Sequence, residues 1–220
     1  NMDMNLNKAR KNVIEQQIRP WGGLNIDANQ ALSEIPRENF VPIEYQGLVF
    51  ADIEIPISEN CKMFSPKIEG RILDSLNIQK HESILEIGTG SGYFTAVLAK
   101  LAKSVTSIEI NQELSESAQN EINKLDLENI ELKVDDALKH DFSNQQYDVI
   151  IIGCAIPEMN NDFNQLLKPD GRMFAVVGSK NKMKASIISS NNTNKWQSKP
   201  LFETHLDYML GLEPTAQFNF

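Results

Sequence analysis

Apolar positions along the 220 residues follow two regimes that meet near Ser83. Upstream, they recur at helical spacing only in short stretches. Ala9, Val13, Ile14 and Ile18 share one side of a predicted first helix, stopped by Pro20 and Gly22-Gly23. Asp27 is placed to cap a second short helix through Leu32, which must stop before Pro36. From Phe40 to Cys61 the apolar patches are short and broken by Pro42 and Pro56, as in a loop-rich lid or a set of short strands. Pro66 then opens a helix with Ile68, Ile72, Leu73 and Leu76 on one face.

From Ser83 onward, strand and helix patterns alternate. Ser83-Ile87 reads as a strand, Gly88 to Gly92 as a loop, and Phe94, Val97, Leu98 and Leu101 as one helical face. Val105-Ile110 is a second strand, and Gln112-Leu125 a helix with Leu114, Ala118, Ile122 and Leu125 turned inward. Ile130-Val134 alternates like a half-buried strand, whereas Tyr147-Ile152 is almost wholly apolar, as in a strand covered on both faces. Phe163-Leu167 reads as helical, Pro169-Asp170-Gly171 as a turn and Met173-Val177 as a strand. Ala185-Ser189 and Trp196-Leu206 flank the polar run Ser190 to Asn194 and predict an antiparallel hairpin.

This order predicts an α/β fold: a doubly wound, mostly parallel sheet with helices on both faces and a C-terminal antiparallel hairpin. The expected organisation is one domain over 1–220, with 1–82 as a helical and loop-rich extension and 83–220 as the core. Ligands of such sheets bind at the carboxyl ends of the strands, where strand order reverses.

A hydrophobic fraction of 41% and a charged fraction of 23% suit an ordinary globular chain and exclude a disordered one. The net charge of −9 works against indiscriminate binding to nucleic acid, so no such partner is expected. Lys180, Lys182 and Lys184 read as a solvated loop. Cys61 and Cys154 are too few for a disulfide framework, and His81, His140 and His205 stand singly, so no metal site is expected. The polar first twenty residues and the lack of any long apolar run predict a cytoplasmic chain with no membrane association.

The candidate chemistry lies in Ile84-Leu85-Glu86-Ile87-Gly88-Thr89-Gly90-Ser91-Gly92-Tyr93, between the first core strand and its helix. Alternate glycines let the backbone turn sharply and approach a ligand with no β-carbon in the way. Glu109 ends the next strand, about twenty residues on, where a ribose hydroxyl would be read. Dinucleotide sites space their glycines as Gly-x-Gly-x-x-Gly; this chain has Gly-x-Gly-x-Gly. The motif resembles motif I of the class I S-adenosylmethionine-dependent methyltransferases. Asp135-Asp136-Ala137, at the end of the following strand, matches the acidic position near the adenine ring in that class. The resemblance implies S-adenosyl-L-methionine as cofactor, S-adenosyl-L-homocysteine as product, and Glu86, Gly88, Thr89, Gly90, Ser91, Gly92, Glu109, Asp136 and Ala137 as cofactor-binding residues.

Further segments narrow it. Ile35-Pro36-Arg37-Glu38-Asn39-Phe40-Val41-Pro42 resembles the Pro-Arg-Glu-x-Phe-Val-Pro element of the protein-L-isoaspartate O-methyltransferases. Phe50-Ala51-Asp52, Pro66 and Leu167-Lys168-Pro169-Asp170-Gly171-Arg172 are similar to further elements of that family, and the likeness runs from about Ile14 to Gly178. It implies methyl transfer to the α-carboxylate of L-isoaspartyl residues in damaged peptides and proteins, a repair reaction, with the 40–66 segment as one wall of an open substrate groove.

Two departures bear on the site. The family has Thr-Ile-Ser-x-Pro before the proline-led helix, with an active-site serine. Here the residues are Lys62-Met63-Phe64-Ser65-Pro66, so Phe64 takes the serine position and Ser65 falls one residue late. An extended chain shifted by one residue points its side chain the other way. Ser65 is therefore the catalytic candidate only if the chain bulges locally; otherwise isoaspartyl methylation is expected to be weak despite intact cofactor binding. Asp135-Asp136-Ala137 also replaces Gly-Asp-Gly, keeping the acid. Two alternatives stay open at this point: another acceptor for the same donor, or a non-catalytic S-adenosylmethionine-binding protein.

Overall fold

The computed structural model describes residues 2–13, 26–190 and 195–216. Helix α1 (Met2–Val13) and helix α2 (Ile26–Glu34) come first, and two 3-10 turns follow at Arg37–Phe40 and Ile43–Leu48. The expected continuation of α1 through Ile18 to Pro20 lies outside the described residues. Asp27 sits in the first turn of α2. A short hairpin, β1 (Pro56–Ser58) and β2 (Cys61–Lys62), then leads into α3 (Pro66–Leu76). The 40–61 segment is thus part 3-10 and part hairpin, in keeping with its broken apolar pattern.

The core alternates β3 (Ser83–Ile87), α4 (Tyr93–Leu101), β4 (Ser104–Glu109), α5 (Gln112–Ile122) and β5 (Ile130–Val134). It continues with β6 (Tyr147–Ile156), α6 (Asn161–Asn164), β7 (Leu167–Val177), β8 (Lys184–Ser190) and β9 (Trp196–Glu203). The main sheet has the order β5-β4-β3-β6-β7-β8-β9. Its first five strands are parallel, and β8 and β9 add antiparallel pairs, with Ser190 opposite Trp196 across the hairpin. Strand order reverses between β3 and β6, so the loop after β3 opens at the switch point.

Side-chain alternation divides the core between the two faces of the sheet. Val149 and Ile151 of β6 join Ile84, Phe174 and the apolar faces of α2, α3, α4 and α5. Ile150 and Ile152 turn the other way, onto Leu85, Met173, Phe163 of α6 and Met209 of the C-terminal segment. Both faces of β6 are therefore buried, which is why its sequence lacks polar alternation.

Three boundaries differ from expectation for local reasons. Helix α5 stops at Ile122, and Lys124 and Leu125 close a turn onto Glu121 and Ile122. Leu167 belongs to β7, not to a helix, and the Pro169-Asp170-Gly171 turn is an interruption inside that strand, with Asp170 at φ 63°. Partner register moves from Tyr147–Leu167 to Val149–Arg172 across it. Strand β6 runs four residues beyond its expected end, and its pairing with β7 shifts register between Ile151 and Ala155.

Candidate active site

The glycine loop has the conformations its composition allows. Gly88, Gly90 and Gly92 lie at φ 98°, 55° and 87°, the left-handed region where a β-carbon is costly. A β-carbon on Gly92 would stand 2.7 Å from Cβ of Ala118, so this glycine lets the start of α4 press against α5. One on Gly90 would reach Cδ1 of Ile57 at 3.4 Å and Sγ of Cys61 at 3.7 Å, because the β1–β2 hairpin lies against the loop.

Behind the loop, Glu86 is buried at the end of β3. Its Oε1 accepts from the hydroxyl of Thr95 and, at 2.7 Å, from that of Ser107. Ser107 and Thr89 share a further 2.6 Å hydroxyl contact, which ties the loop to β4. Burial pushes the Glu86 carboxyl up to about 7; the Thr95 and Ser107 hydrogen bonds oppose the rise and the nearby Glu109 charge adds to it. Glu109 ends β4, accepting from the Gly90 amide at 2.9 Å and from the Asn111 amide at 3.0 Å. After β5, Asp135 pairs with His140 at 2.7 Å, which holds the Asp135 carboxyl below its usual range. Asp136 accepts from the Leu138 amide at 2.9 Å.

These strand ends open into a cavity of about 740 Å³. Of the residues singled out in the sequence, Glu86, Gly88, Thr89, Gly90, Ser91, Glu109, Asp136 and Ala137 line it. Gly92 is set back against α5, and Ser65 is also absent from the wall. Carboxylates dominate the lining. Glu54, Glu59 and Glu69 come from the N-terminal segment, Glu86, Glu109, Asp135 and Asp136 from the strand ends, and Asp207 and Glu213 from the C-terminal segment. Lys62 is the sole lysine or arginine on the described wall. Cys61 and Cys154 also line it, with burial pushing both thiols up to about 12, which leaves them poor nucleophiles.

The departure before α3 resolves in favour of Phe64. Phe64 lines the cavity and packs edge-on against Phe94 and Phe174, with ring centroids 6.0 and 6.4 Å away. Ser65 is the N-cap residue of α3, at φ −64° and ψ 153°; its hydroxyl makes no capping bond, and its carbonyl accepts from the Glu69 amide. Of the two alternatives, a bulge that restores Ser65 or a different site, this geometry supports the second. Side chains alternate along extended chain, and the aromatic pocket formed by Phe94 and Phe174 fixes which of the two faces inward.

Two features of the site were missed in the sequence. Arg37, part of the Pro-Arg-Glu element, is buried and joins four segments. It donates to the carbonyls of Val49 (3.0 Å) and Phe64 (3.1 Å), pairs with Glu69 of α3, and lies 4.8 Å over the ring of Tyr93. Burial pushes the Glu69 carboxyl up to about 7 against the pull of Arg37. An arginine beside an acid in a polar stretch gives no sign of burial. The second feature is the segment after β9, which crosses back over the sheet ends. Ala155 exchanges backbone bonds with Asp207 and Met209, both at 2.9 Å, and Tyr208 donates to the Gly178 carbonyl at 2.7 Å. His205 to Leu210 then form a wall of the cavity. No periodicity marks that wall, because backbone bonds hold it.

Among the described residues, no helix is long and apolar enough to cross a membrane, and no group of three His, Cys, Asp or Glu could hold a metal ion.

Comparison with known proteins agrees with this layout. A chain of Plasmodium falciparum assigned to the protein-L-isoaspartate O-methyltransferases, solved in complex with S-adenosyl-L-homocysteine, superposes with a TM-score of 0.80 at 17% identity over 91% of this chain and 97% of its own. A second solved protein-L-isoaspartate O-methyltransferase gives 0.75 at 21% identity, over 92% and 67%. At such identities these likenesses establish the fold. Sequence relatives are nearer. The protein-L-isoaspartate O-methyltransferase of Aliivibrio salmonicida is 36% identical over 171 residues, 78% of this chain and 82% of its own. That of Dictyoglomus turgidum is 36% identical over 185 residues, 84% of each. The sequence profile of protein-L-isoaspartate(D-aspartate) O-methyltransferase (PCMT) matches residues 8–206, taking in the Arg37 element, the glycine loop and the hairpin alike. With its strand order, its glycine loop and most of its length accounted for in this way, the chain belongs to the protein-L-isoaspartate(D-aspartate) O-methyltransferase family.

Proposed function

We propose that the chain transfers a methyl group from S-adenosyl-L-methionine to the α-carboxylate of L-isoaspartyl residues in damaged proteins. The observation that carries this reading is the acidic lining of the cavity: seven carboxylates, besides Glu69 paired with Arg37 and the buried Glu86, and one lysine surround a glycine loop at the switch point. Such a lining suits a cationic sulfonium and repels the pyrophosphate of a dinucleotide. The donor set fits the methyl donor in other respects. Glu109 presents a carboxylate at the end of β4, where ribose hydroxyls would donate, and Gly88 and Gly90 line the cavity beside it.

The cofactor supplies an activated methyl on a positive sulfur, and an acceptor carboxylate is already ionised at neutral pH, so no residue has to act as a general base. The chain's own work is placement. Glu109 fixes the glycine loop through the Gly90 amide, and Glu86 ties the loop's base to Thr95 and Ser107. Phe64 and the 205–210 segment wall the cavity and exclude water beside the reacting groups. Residues 1–82 and the core act as one unit in this reading, supported by the cluster that Ile35, Phe40 and Ile55 share with Ile84 and Val97. A cytoplasmic site of action belongs to the same reading, as does the absence of a nucleic-acid partner, which the net charge of −9 supports.

A second reading keeps the donor and changes the acceptor, and the apolar Phe64 on the wall favours it. Labelled S-adenosylmethionine with an isoaspartyl peptide and its normal aspartyl twin separates the two. Label in the isoaspartyl peptide alone is expected, incorporated weakly because Phe64 stands where a serine hydroxyl would be. Label in neither, with S-adenosylhomocysteine still bound, would retire the isoaspartyl acceptor and leave the donor.

A further inference from the structure

We propose that Lys62 is the positioning residue for the acceptor carboxylate, supplying the charge that holds it beside the methyl donor. This rests on the isoaspartyl reading above and names the group that recognises the acceptor. The starting point is a deficit. An acceptor carboxylate must enter a cavity whose walls already carry seven carboxylates besides the Arg37-paired Glu69 and the buried Glu86, with Glu54 and Glu59 on the N-terminal wall. Like charges at such range disfavour entry unless cations stand among them; the donor's sulfonium is one, and a side-chain cation would hold the acceptor whether or not the donor is charged.

Neither of the residues at the altered Thr-Ile-Ser-x-Pro element that could have replaced the serine hydroxyl meets this need. Phe64 offers no hydrogen bond, and Ser65 stands off the wall as the N-cap residue of α3. Arg37 is buried and committed to Glu69, Val49 and the Phe64 carbonyl.

Lys62 remains. It ends β2 opposite Pro56, two residues before Phe64, and like Phe64 it lines the cavity. It is the sole lysine or arginine on the described wall, is exposed to solvent, and its ammonium forms no ion pair or side-chain hydrogen bond with any described residue. The neighbouring residue, Cys61, places Sγ 3.7 Å from where a β-carbon on Gly90 would stand, so β2 lies against the glycine loop and Lys62, one residue on, stands at the rim of that contact. A lysine's four-carbon stem with three rotatable donors can reach inward from such a rim. It stands where the family element has threonine, so this chain replaces two hydroxyls with one cation and one ring.

The test uses the full chain saturated with S-adenosylhomocysteine and titrated calorimetrically with an isoaspartyl peptide, beside steady-state methylation of the same peptide. Lys62→Met keeps the stem and loses the charge; Lys62→Arg keeps the charge. Lys62→Met should raise the peptide Kd and KM about tenfold, the range of a lost charge-assisted hydrogen bond, with S-adenosylhomocysteine affinity and Tm unchanged. Lys62→Arg should stay within about threefold of wild type. Wild-type KM should climb with added salt more steeply than that of Lys62→Met. Peptide Kd and KM within twofold of wild type in Lys62→Met would overturn the proposal, as would a matching loss of S-adenosylhomocysteine affinity. A wild type that binds S-adenosylhomocysteine but neither binds nor methylates the peptide would overturn the isoaspartyl reading itself, and it would do so before any substitution is made.

Discussion

The Gly90 amide donates to Oε1 of Glu109 at 2.9 Å, so the residue proposed to read the donor's ribose also fixes the glycine loop. Its second oxygen takes the Asn111 amide at 3.0 Å. Carboxylate oxygens accept more than one hydrogen bond, so these backbone contacts leave capacity for a ligand.

Removing Glu109 should therefore cost twice. Glu109→Ala is expected to weaken S-adenosylhomocysteine binding by about 1.5–3 kcal/mol. Glu109→Gln keeps an acceptor for the Gly90 amide but loses the negative charge, so it should weaken the cationic S-adenosylmethionine more than the uncharged product. Calorimetry with both ligands checks this, and equal losses in Glu109→Gln would remove charge from the explanation.

Gly92 and Gly90 should fail differently. Gly92→Ala places a β-carbon 2.7 Å from Ala118 at φ 87° and should lower unfolding free energy by roughly 2–4 kcal/mol. Gly90→Val pushes toward Ile57 and Cys61 and obstructs the loop, so cofactor binding should be lost. Urea unfolding and ligand-induced thermal shifts, run on both variants, separate stability from binding.

Ser65→Ala should leave methylation within twofold of wild type. The hydroxyl is off the cavity wall and makes no capping bond, so stability should change by less than about 0.5 kcal/mol. A tenfold fall in kcat/KM with S-adenosylhomocysteine binding intact would show that the hydroxyl reaches the acceptor after all.

Glu86 gives the fold a pH dependence of definite sign. Its carboxyl titrates near 7 in the folded chain, against a usual value near 4.5, because it is buried. Between those values the folded state holds a proton that the unfolded state has released, so stability falls as pH rises through the window and levels off above 7. The full effect is on the order of 3 kcal/mol. Glu86→Gln, which can still accept from Thr95 and Ser107, should lose this dependence. Parallel urea titrations of the two proteins from pH 4.5 to 8 would refute the assignment if their difference stays flat.

The sequence by itself determined the strand–loop–helix unit at Ser83–Leu101, the acidic ends of β4 and β5 and the C-terminal hairpin. Each depends on local periods of 2 and 3.6 and on glycines whose allowed angles are a property of the residue. The tertiary structure alone decided the rest of the cavity. The register shift in β6 between Ile151 and Ala155, and the 205–210 wall bonded through Ala155, rest on backbone groups that every residue carries, so no side-chain pattern announces them. The burial of Arg37 depends on Val49, Phe64, Glu69 and Tyr93 converging from four segments. The choice of Phe64 over Ser65 was set by Phe94 and Phe174, distant in sequence, which form the pocket that an aromatic ring fills and a serine would leave empty.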